Sequence, residues 1–225
     1  MIVYYKTIDI YEISQYHMFV SILMKEIMMN ALKTLFALIG LIVTAGILYA
    51  WFALGIGTRI EEAKQLDPKA KDVYKHMMGT LLETGDIAKA TIRKVKVDKG
   101  IEPDEIVDAL NSVATEMGIK PVGDLPLSKE MEKRTGKKQP YVRVLSYCNP
   151  AIAIKMVKWS MAYGAYLPCR ITIMQDKEGN YWLYTLDLDM MIHGGRPLPP
   201  EMLAYGNQVK KTIYTMMDKA AKGDF

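Results

Sequence analysis

The longest feature of the hydropathy pattern is an uncharged apolar run over residues 34–57, TLFALIGLIVTAGILYAWFALGIG. At the helical rise of about 1.5 Å per residue, this run covers roughly 36 Å, which exceeds the ~30 Å hydrocarbon core of a bilayer. Only a helix can cross lipid here, because every backbone amide must be hydrogen-bonded without water. Tyr49 and Trp51 lie near the downstream end, where aromatic rings favour the membrane interface. The pattern therefore predicts one transmembrane helix.

A cleaved signal peptide is the alternative interpretation of this run. Its apolar stretch is longer than the roughly 7–15 residues of a signal-peptide core. Trp51 and Phe52 also occupy positions where a cleavage site would need small residues. The sequence therefore favours an uncleaved anchor.

The charges that flank the apolar run give conflicting indications of its orientation. Lys25 and Lys33 lie upstream, whereas Arg59 and four lysines up to Lys75 lie downstream. An excess of positive flanking charge marks the cytoplasmic side, but long downstream domains are translocated largely regardless of charge. We expect a single-pass membrane protein whose C-terminal domain is periplasmic or extracellular, with the cytoplasmic orientation as the alternative.

The N-terminal flank, residues 1–33, mixes aromatic and aliphatic side chains without clear periodicity. Met24, Met28 and Met29 each offer a different start of the chain, which would leave a compact segment before the anchor. The other interpretation is a short interfacial helix. Its apolar residues would be Tyr11, Tyr16, Phe19 and Leu23.

Residues 58–87 follow the anchor and show apolar side chains at helical spacing. Two sets recur at every fourth position: Val73, Met77, Leu81 and Tyr74, Met78, Leu82. Such spacing places both sets on one side of a helix. Asp67 and Pro68 fit the N-cap and the first turn of that helix. We predict a helical stalk that docks onto the following domain or onto a second copy of the chain.

Residues 88–225 alternate between strand and helix patterns. Strands are predicted at residues 90–98, 119–127, 141–148, 169–175 and 181–192, and helices at 102–118, 149–164 and 199–223. A polar, Lys-rich loop is predicted over residues 128–139. The order β-α-β-β-α-β-β-α predicts a single α+β domain with a mainly antiparallel sheet and helices on one face.

Charge and motifs exclude several classes of function. The chain has 29 Lys and Arg against 25 Asp and Glu, interleaved, so it has no nucleic-acid signature. No P-loop, GxGxxG, GxSxG or HExxH motif is present, which favours a non-enzymatic role. Asp187 and Asp189 alternate in the last predicted strand and indicate a solvated strand face rather than paired catalytic acids.

The chain has two cysteines, Cys148 and Cys169, each close to a proline at an element boundary. Cys148 precedes a predicted helix N-terminus, whose free amides would favour the thiolate and lower the pKa. If that helix returned along the sheet, the two thiols would lie at opposite sheet ends, beyond the ~7 Å between Cα atoms that a disulfide allows. A helix lying across the sheet, or a dimer, would bring them together. Buried core residues, a disulfide and a ligand site all remain open.

His193 is the second candidate for ligand chemistry. It follows Met190 and Met191, and imidazole with thioethers suits copper or haem iron. Arg196 is able to pair with an anion such as a haem propionate. The ordinary alternative is a strand end that turns into a loop. The candidate cofactor-binding residues are Cys148, Cys169, His193, Met190, Met191 and Arg196, of which Cys148, Cys169 and His193 are the candidate metal ligands.

Two short motifs carry a resemblance to a known family. Tyr147-Cys148-Asn149-Pro150 and Leu167-Pro168-Cys169-Arg170 resemble the signature of the domain-of-unknown-function 302 family, and LDLDMMIHGG…LPPE resembles its membrane-anchored, extracytoplasmic members. The resemblance covers about residues 88–222. It implies a compact, commonly dimeric α+β fold similar to the TATA-binding-protein-like class, without an established activity. Relatives among sulfur- and metal-handling prokaryotes suggest redox or sulfur physiology.

The sequence therefore favours a membrane-anchored, extracytoplasmic binding or accessory protein that holds haem, copper or a sulfur species. The alternative is a structural or assembly subunit of a membrane complex, or of a homo-oligomer, that holds no ligand. Expected partners are membrane lipid, further copies of the chain as a homodimer or larger homo-oligomer, and subunits of a membrane complex. Nucleic acid is not among them.

Overall fold

The computed structural model describes residues 10–53 and 55–225, which divide into two compact units at Lys64 and Gln65. The first unit contains helices α1 (Ile10–Ala53) and α2 (Ile56–Lys64). Within α1, residues 15–53 are apolar enough to cross a membrane, and by length and composition they fit either an anchor or a signal sequence. The flank from Ile10 onward is continuous with this helix, and the first nine residues lie outside the described part.

The second unit contains seven further helices and five strands among the described residues. The helices are α3 (Ala70–Thr84), α4 (Ile87–Ala90), α5 (Pro103–Glu116), α6 (Leu127–Thr135), α7 (Pro150–Trp159), α8 (Leu188–His193) and α9 (Pro200–Ala220), with a 3₁₀ segment at Met161–Tyr166. The strands are β1 (Ile92–Lys96), β2 (Lys120–Leu125), β3 (Val142–Cys148), β4 (Cys169–Gln175) and β5 (Tyr181–Leu186).

The five strands form one open sheet in the order β1-β5-β4-β3-β2, and every neighbouring pair is antiparallel. The β4–β5 pair is a hairpin closed by residues 176–180, where the Asp176 amide donates to the Asn180 carbonyl at 2.9 Å. Asp176 also accepts hydrogen bonds from three groups of the turn, which fixes the hairpin locally. The predicted α+β class with an antiparallel sheet is confirmed.

The hydrophobic core lies on one face of the sheet. Strand residues at alternate positions point into it, as the period of two requires, and Leu145, Ile171, Ile173 and Leu183 are almost completely buried. Helices α5 and α9 pack on each other and supply the other side of this core. Their fully buried side chains include Ile106, Leu110, Val113, Ile213, Met216 and Met217.

Two predicted elements differ from the structure. Residues 127–135 form helix α6 rather than a loop, with Glu130 and Lys133 paired at 2.9 Å one turn apart. The last strand stops at Leu186 instead of continuing to residue 192. Asp187 ends it because its carboxylate accepts the amide of Asp189 at 3.0 Å and caps helix α8. The predicted alternation of Asp187 and Asp189 on a strand face is therefore wrong.

The segment after the first unit packs within the second unit through helix α3, which contacts α8. The hydroxyl of Tyr74 donates to the carbonyl of Gly194 at 2.6 Å, and the amide of Asp67 donates to the carbonyl of Gly195 at 2.8 Å. Helix α3 begins later than predicted, with Lys69 at the N-cap position. The Asp67 carboxylate accepts the Lys69 amide at 2.8 Å instead of capping the helix itself.

Candidate functional site

The two cysteines lie at the same end of the sheet. Strand β3 ends at Cys148, strand β4 begins at Cys169, and the register places Tyr147 directly opposite Cys169. The connection through α7 and the 3₁₀ segment returns the chain to the end of the sheet that it left. Of the arrangements that the sequence left open, the one with the thiols at opposite ends of the sheet is therefore excluded. Both cysteines are free.

Both thiols line one cavity with a volume of about 50 Å³. This volume is several times the roughly 10–15 Å³ that a single water requires. Apolar, thioether and aromatic groups make up most of the wall, among them Ile152, Met156, Tyr163, Leu188, Met191 and Val209. The sheet lines the cavity on one side, and α7, the 3₁₀ segment, α8 and α9 line it on the others. A small, mainly apolar or soft ligand suits this wall better than a highly charged one.

The protein environment keeps both thiols protonated. The pKa of Cys169 is raised to about 11, mainly by burial and also by the nearby Cys148 thiol, while Arg170 opposes both effects. Burial also raises the pKa of Cys148. The lowering predicted for Cys148 is therefore wrong. The amides of the α7 N-terminus are engaged elsewhere, because the Asn149 side chain accepts those of Ala151 and Ile152.

A polar cluster lies at the edge of the cavity, where Tyr205 is part of the wall. The Tyr205 hydroxyl donates to Glu201 at 2.6 Å and accepts a short hydrogen bond from Lys155, which also lies 3.2 Å from Glu201. Tyr205 and then Glu201 raise the pKa of the Lys155 ammonium. This cluster was not predicted from the sequence. The spacing of Glu201 and Tyr205, one helical turn apart on α9, is the signal that could have indicated it.

His193 lies away from the cavity. It is 6% exposed, and its Nδ1 lies 3.2 Å from Asp67 Oδ2, a close polar contact without the alignment of a good hydrogen bond. The Lys69 amide is the main cause that lowers the pKa of Asp67; burial opposes it and His193 adds to it. The histidine therefore joins α8 to the segment that precedes α3.

Of the three remaining candidate residues from the sequence, one lines the cavity and two do not. Met191 lines the cavity together with the cysteines, whereas Met190 and Arg196 are not part of its wall. Arg196 is exposed. Over the described residues, no group of three or more His, Cys, Asp or Glu side chains could hold a metal ion. The cavity therefore offers two thiols and thioethers, without an imidazole.

These donors limit the cofactors that the cavity fits. Haem would need an axial ligand and space for a macrocycle, and the candidate imidazole and the anion-pairing Arg196 lie outside the cavity. Monovalent copper needs only soft donors such as thiolate and thioether sulfur. The residues present fit a soft ion or a small sulfur species, and they do not fit haem held by His193.

Comparison with known proteins places the chain in a family. The model of the family described as domain of unknown function DUF302 matches residues 93–220, which is more than half of the chain. The chain belongs to the DUF302 family. A similar solved structure is the crystal structure of an uncharacterized conserved DUF302 protein from Bacillus stearothermophilus, at 16% sequence identity and a TM-score of 0.47; the match covers 58% of this chain and 98% of that one. No curated protein matched the chain.

The DUF302 match confirms the family to which the sequence motifs pointed. It includes strand β1 through helix α9 and both cysteines, and it leaves out the apolar helix and α3. Membrane anchoring therefore stays a prediction of this chain's own N-terminal sequence. The family description assigns no function.

Proposed function

We propose that this DUF302 protein is a membrane-anchored, non-enzymatic binding protein that holds a small soft ligand between Cys148 and Cys169, with monovalent copper as the ligand that the donors fit best. The observation that carries the proposal is that the two cysteines, which are distant in sequence, line the same small apolar cavity. Met191 in the same wall supplies a thioether. A sulfur species is the other ligand of similar chemistry.

The raised pKa values set the conditions for copper binding. A thiol must lose its proton to ligate a metal, so binding releases protons and strengthens with pH. Because the pKa of Cys169 is about 11, the metal must displace a proton from this thiol at neutral pH. We expect affinity to rise with pH throughout the neutral range, by up to tenfold per pH unit for each proton displaced.

The anchoring part of the proposal rests on the apolar helix. None of the apolar window within its segment Gln15–Ala53 is buried in the chain, so this surface needs lipid or another helix. We propose that this segment spans the membrane once and that the DUF302 domain lies on the extracytoplasmic side. For the finer fold, we propose a sheet of the TATA-binding-protein-like kind and assembly as a homodimer or larger homo-oligomer.

Copper titration of the full-length protein in detergent tests the ligand. Under anaerobic conditions, competition with a chromogenic Cu(I) chelator should show one ion per chain for the wild type. Cys148→Ser and Cys169→Ser should each lose it while circular dichroism stays unchanged. Met191→Leu should weaken binding, and Met161→Leu is the matched control because Met161 is 87% exposed and lies outside the cavity.

Two outcomes would overturn the copper proposal. Wild type that takes up no Cu(I) would exclude it, and so would both serine variants binding as tightly as the wild type. Metal analysis and an absorbance spectrum of the purified protein, together with a sulfane-sulfur assay, would then show whether another ligand is present.

Assembly of a membrane complex is the second candidate function. The exposed apolar side chains of α1 favour it, because they suit a partner helix as well as lipid. A single reporter, Leu38→Cys, in a Cys148→Ser, Cys169→Ser background would report helix neighbours by disulfide cross-linking in membranes. Cross-links without any cavity ligand would favour assembly over ligand binding.

A further inference from the structure

The face of the sheet opposite the core carries the strand residues that alternate with the buried ones. We refer to it as the outer face, and its central residues are Lys94, Lys96, Arg170, Met174, Trp182 and Tyr184. None of these residues belongs to the hydrophobic core or to the side chains packed against it. Met174 is 39% exposed, and Trp182 and Tyr184 are half-buried. The described residues therefore leave this face open.

The charged strand residues of the outer face have a single sign. All charged strand residues that alternate onto it are cations, and the described part of the chain places no carboxylate in an ion pair with Lys94, Lys96 or Arg170. Cations on the core side are paired instead: Arg93 lies 2.8 Å from Asp218, and Arg143 lies 2.7 Å from Asp124. The unpaired cations therefore belong to one face and are not a general property of the sheet.

Aromatic rings lie among these cations. The ammonium groups of Lys94 and Lys96 lie 5.3 and 5.5 Å from the centre of the Trp182 ring. The Trp182 indole donates to Asp176 at 2.8 Å, and this carboxylate is also engaged by Asn180. The ion pairs of the described residues include none between Asp176 and either lysine. Tryptophan and lysine side by side are typical of protein surfaces that lie at the headgroup level of a bilayer.

We infer that the outer face docks onto an anionic lipid surface. Its unpaired cations complement anionic headgroups, and Trp182 and Tyr184 suit the interface. A second copy fits less well, because a two-fold axis through this face would oppose cations to cations. The inference rests on the anchoring part of the proposed function, which keeps the domain near lipid. Its test uses Lys94, Lys96 and Trp182, which lie outside the cavity wall.

Fluorescence of a single tryptophan tests this docking in the full-length protein. The chain has three tryptophans, so Trp51→Phe with Trp159→Phe leaves Trp182 as the only reporter. The protein is reconstituted in phosphatidylcholine vesicles with and without phosphatidylglycerol, and both contain a lipid with a nitroxide on its headgroup. We expect phosphatidylglycerol to increase the quenching of Trp182 and high salt to reverse the increase.

Matched charge variants show whether the outer face is responsible. Removing both charges with Lys94→Gln and Lys96→Gln should lower the ratio of docked to undocked protein roughly thirtyfold, since each lysine near an anionic surface contributes about a factor of five. Lys137→Gln with Lys138→Gln removes the same charge from exposed positions outside the strands and should leave quenching unchanged.

Amine acetylation of the wild type, read by mass spectrometry, avoids any folding defect of the variants. Phosphatidylglycerol should slow the reaction at Lys94 and Lys96 and leave Lys137 and Lys138 unchanged. Equal quenching and acetylation in both kinds of vesicle would overturn the inference. Protection of Lys94 and Lys96 from acetylation without any lipid dependence, together with cross-links between copies through the outer face, would also overturn it. A change in Trp182 fluorescence with an oligonucleotide but not with phosphatidylglycerol would overturn it as well.

Discussion

Asp67 provides the sharpest test of the packing around His193. Its carboxylate is 8% exposed and holds the segment before α3 in two ways, by accepting the Lys69 amide at 2.8 Å and by lying 3.2 Å from His193. We predict that Asp67→Ala loosens helix α3 from α8 without unfolding the sheet, because α3 packs mainly on α4 and α8.

The size of the effect follows from the contacts. A hydrogen bond to a charged acceptor contributes about 1.5–3 kcal/mol, and Asp67 is too buried for water to replace it. A loss of about 2 kcal/mol corresponds to a roughly thirtyfold increase in the open population of α3. Asp72→Ala is the control, because Asp72 is exposed in the first turn of the same helix. It should cost less than about a fivefold change, from the helix dipole alone.

Hydrogen exchange measured by mass spectrometry reads the opening directly. Peptides from α3 should lose protection about thirtyfold in Asp67→Ala, whereas peptides from β4 and β5 should keep theirs. If Asp67→Ala and Asp72→Ala reduced the protection of α3 equally, the contacts of Asp67 would not hold this helix and the reasoning would fail.

The Asp67 carboxylate also determines whether the protection of α3 from hydrogen exchange rises or falls with pH. The folded pKa of Asp67 lies below its ordinary value of 3.8, so its contribution is present above that pH and is lost as the pH falls through the folded pKa. Protection of α3, corrected for intrinsic exchange, should therefore decrease in acid in the wild type. Asp67→Ala should lack this decrease.

Two further predictions concern the cavity and the sheet. Burial is the main cause of the raised pKa of Cys169, and it persists in the Cys148→Ser variant. Cys169 in this variant should therefore react with iodoacetamide at pH 8 at least about tenfold more slowly than in the denatured chain, and an equal rate would contradict its burial. Ile173→Ala removes a fully buried side chain and should lower the free energy of unfolding by about 2–5 kcal/mol. Met174→Ala, at the neighbouring position on the outer face, should lower it by less than about 1 kcal/mol. Denaturant unfolding in detergent measures the free energy of unfolding of both variants. Equal losses of this free energy would mean that the outer face is covered.

The elements with a clear period were predictable from the sequence. Hydrophobic periodicity in the sequence directly indicates an element with a single buried face. Examples are the strand alternation around Leu145 and Ile171 and the helical spacing of Ile106 and Leu110. Helix α6 was missed because its apolar residues are few, and side-chain pairs such as Glu130–Lys133 carry no periodic signal.

The candidate site was less predictable, because it depends on the path of the chain between elements. That Cys148 and Cys169 meet follows from the register of β3 and β4, which no local pattern contains. The pKa of Cys148 was misjudged because the Asn149 side chain engages the helix amides. His193 looked like a ligand beside Met190 and Met191, yet its partner Asp67 lies far away in the sequence.

The way in which β3, α7 and β4 are joined determines which part of the cavity a substitution can change. The floor beneath the thiols is held by the backbone pairing of β3 and β4, whereas α7 and the 3₁₀ segment cover the cavity with side chains such as Ile152, Met156 and Tyr163. A substitution in this cover would change the shape of the cavity while the paired backbone keeps both cysteines at the same end of the sheet.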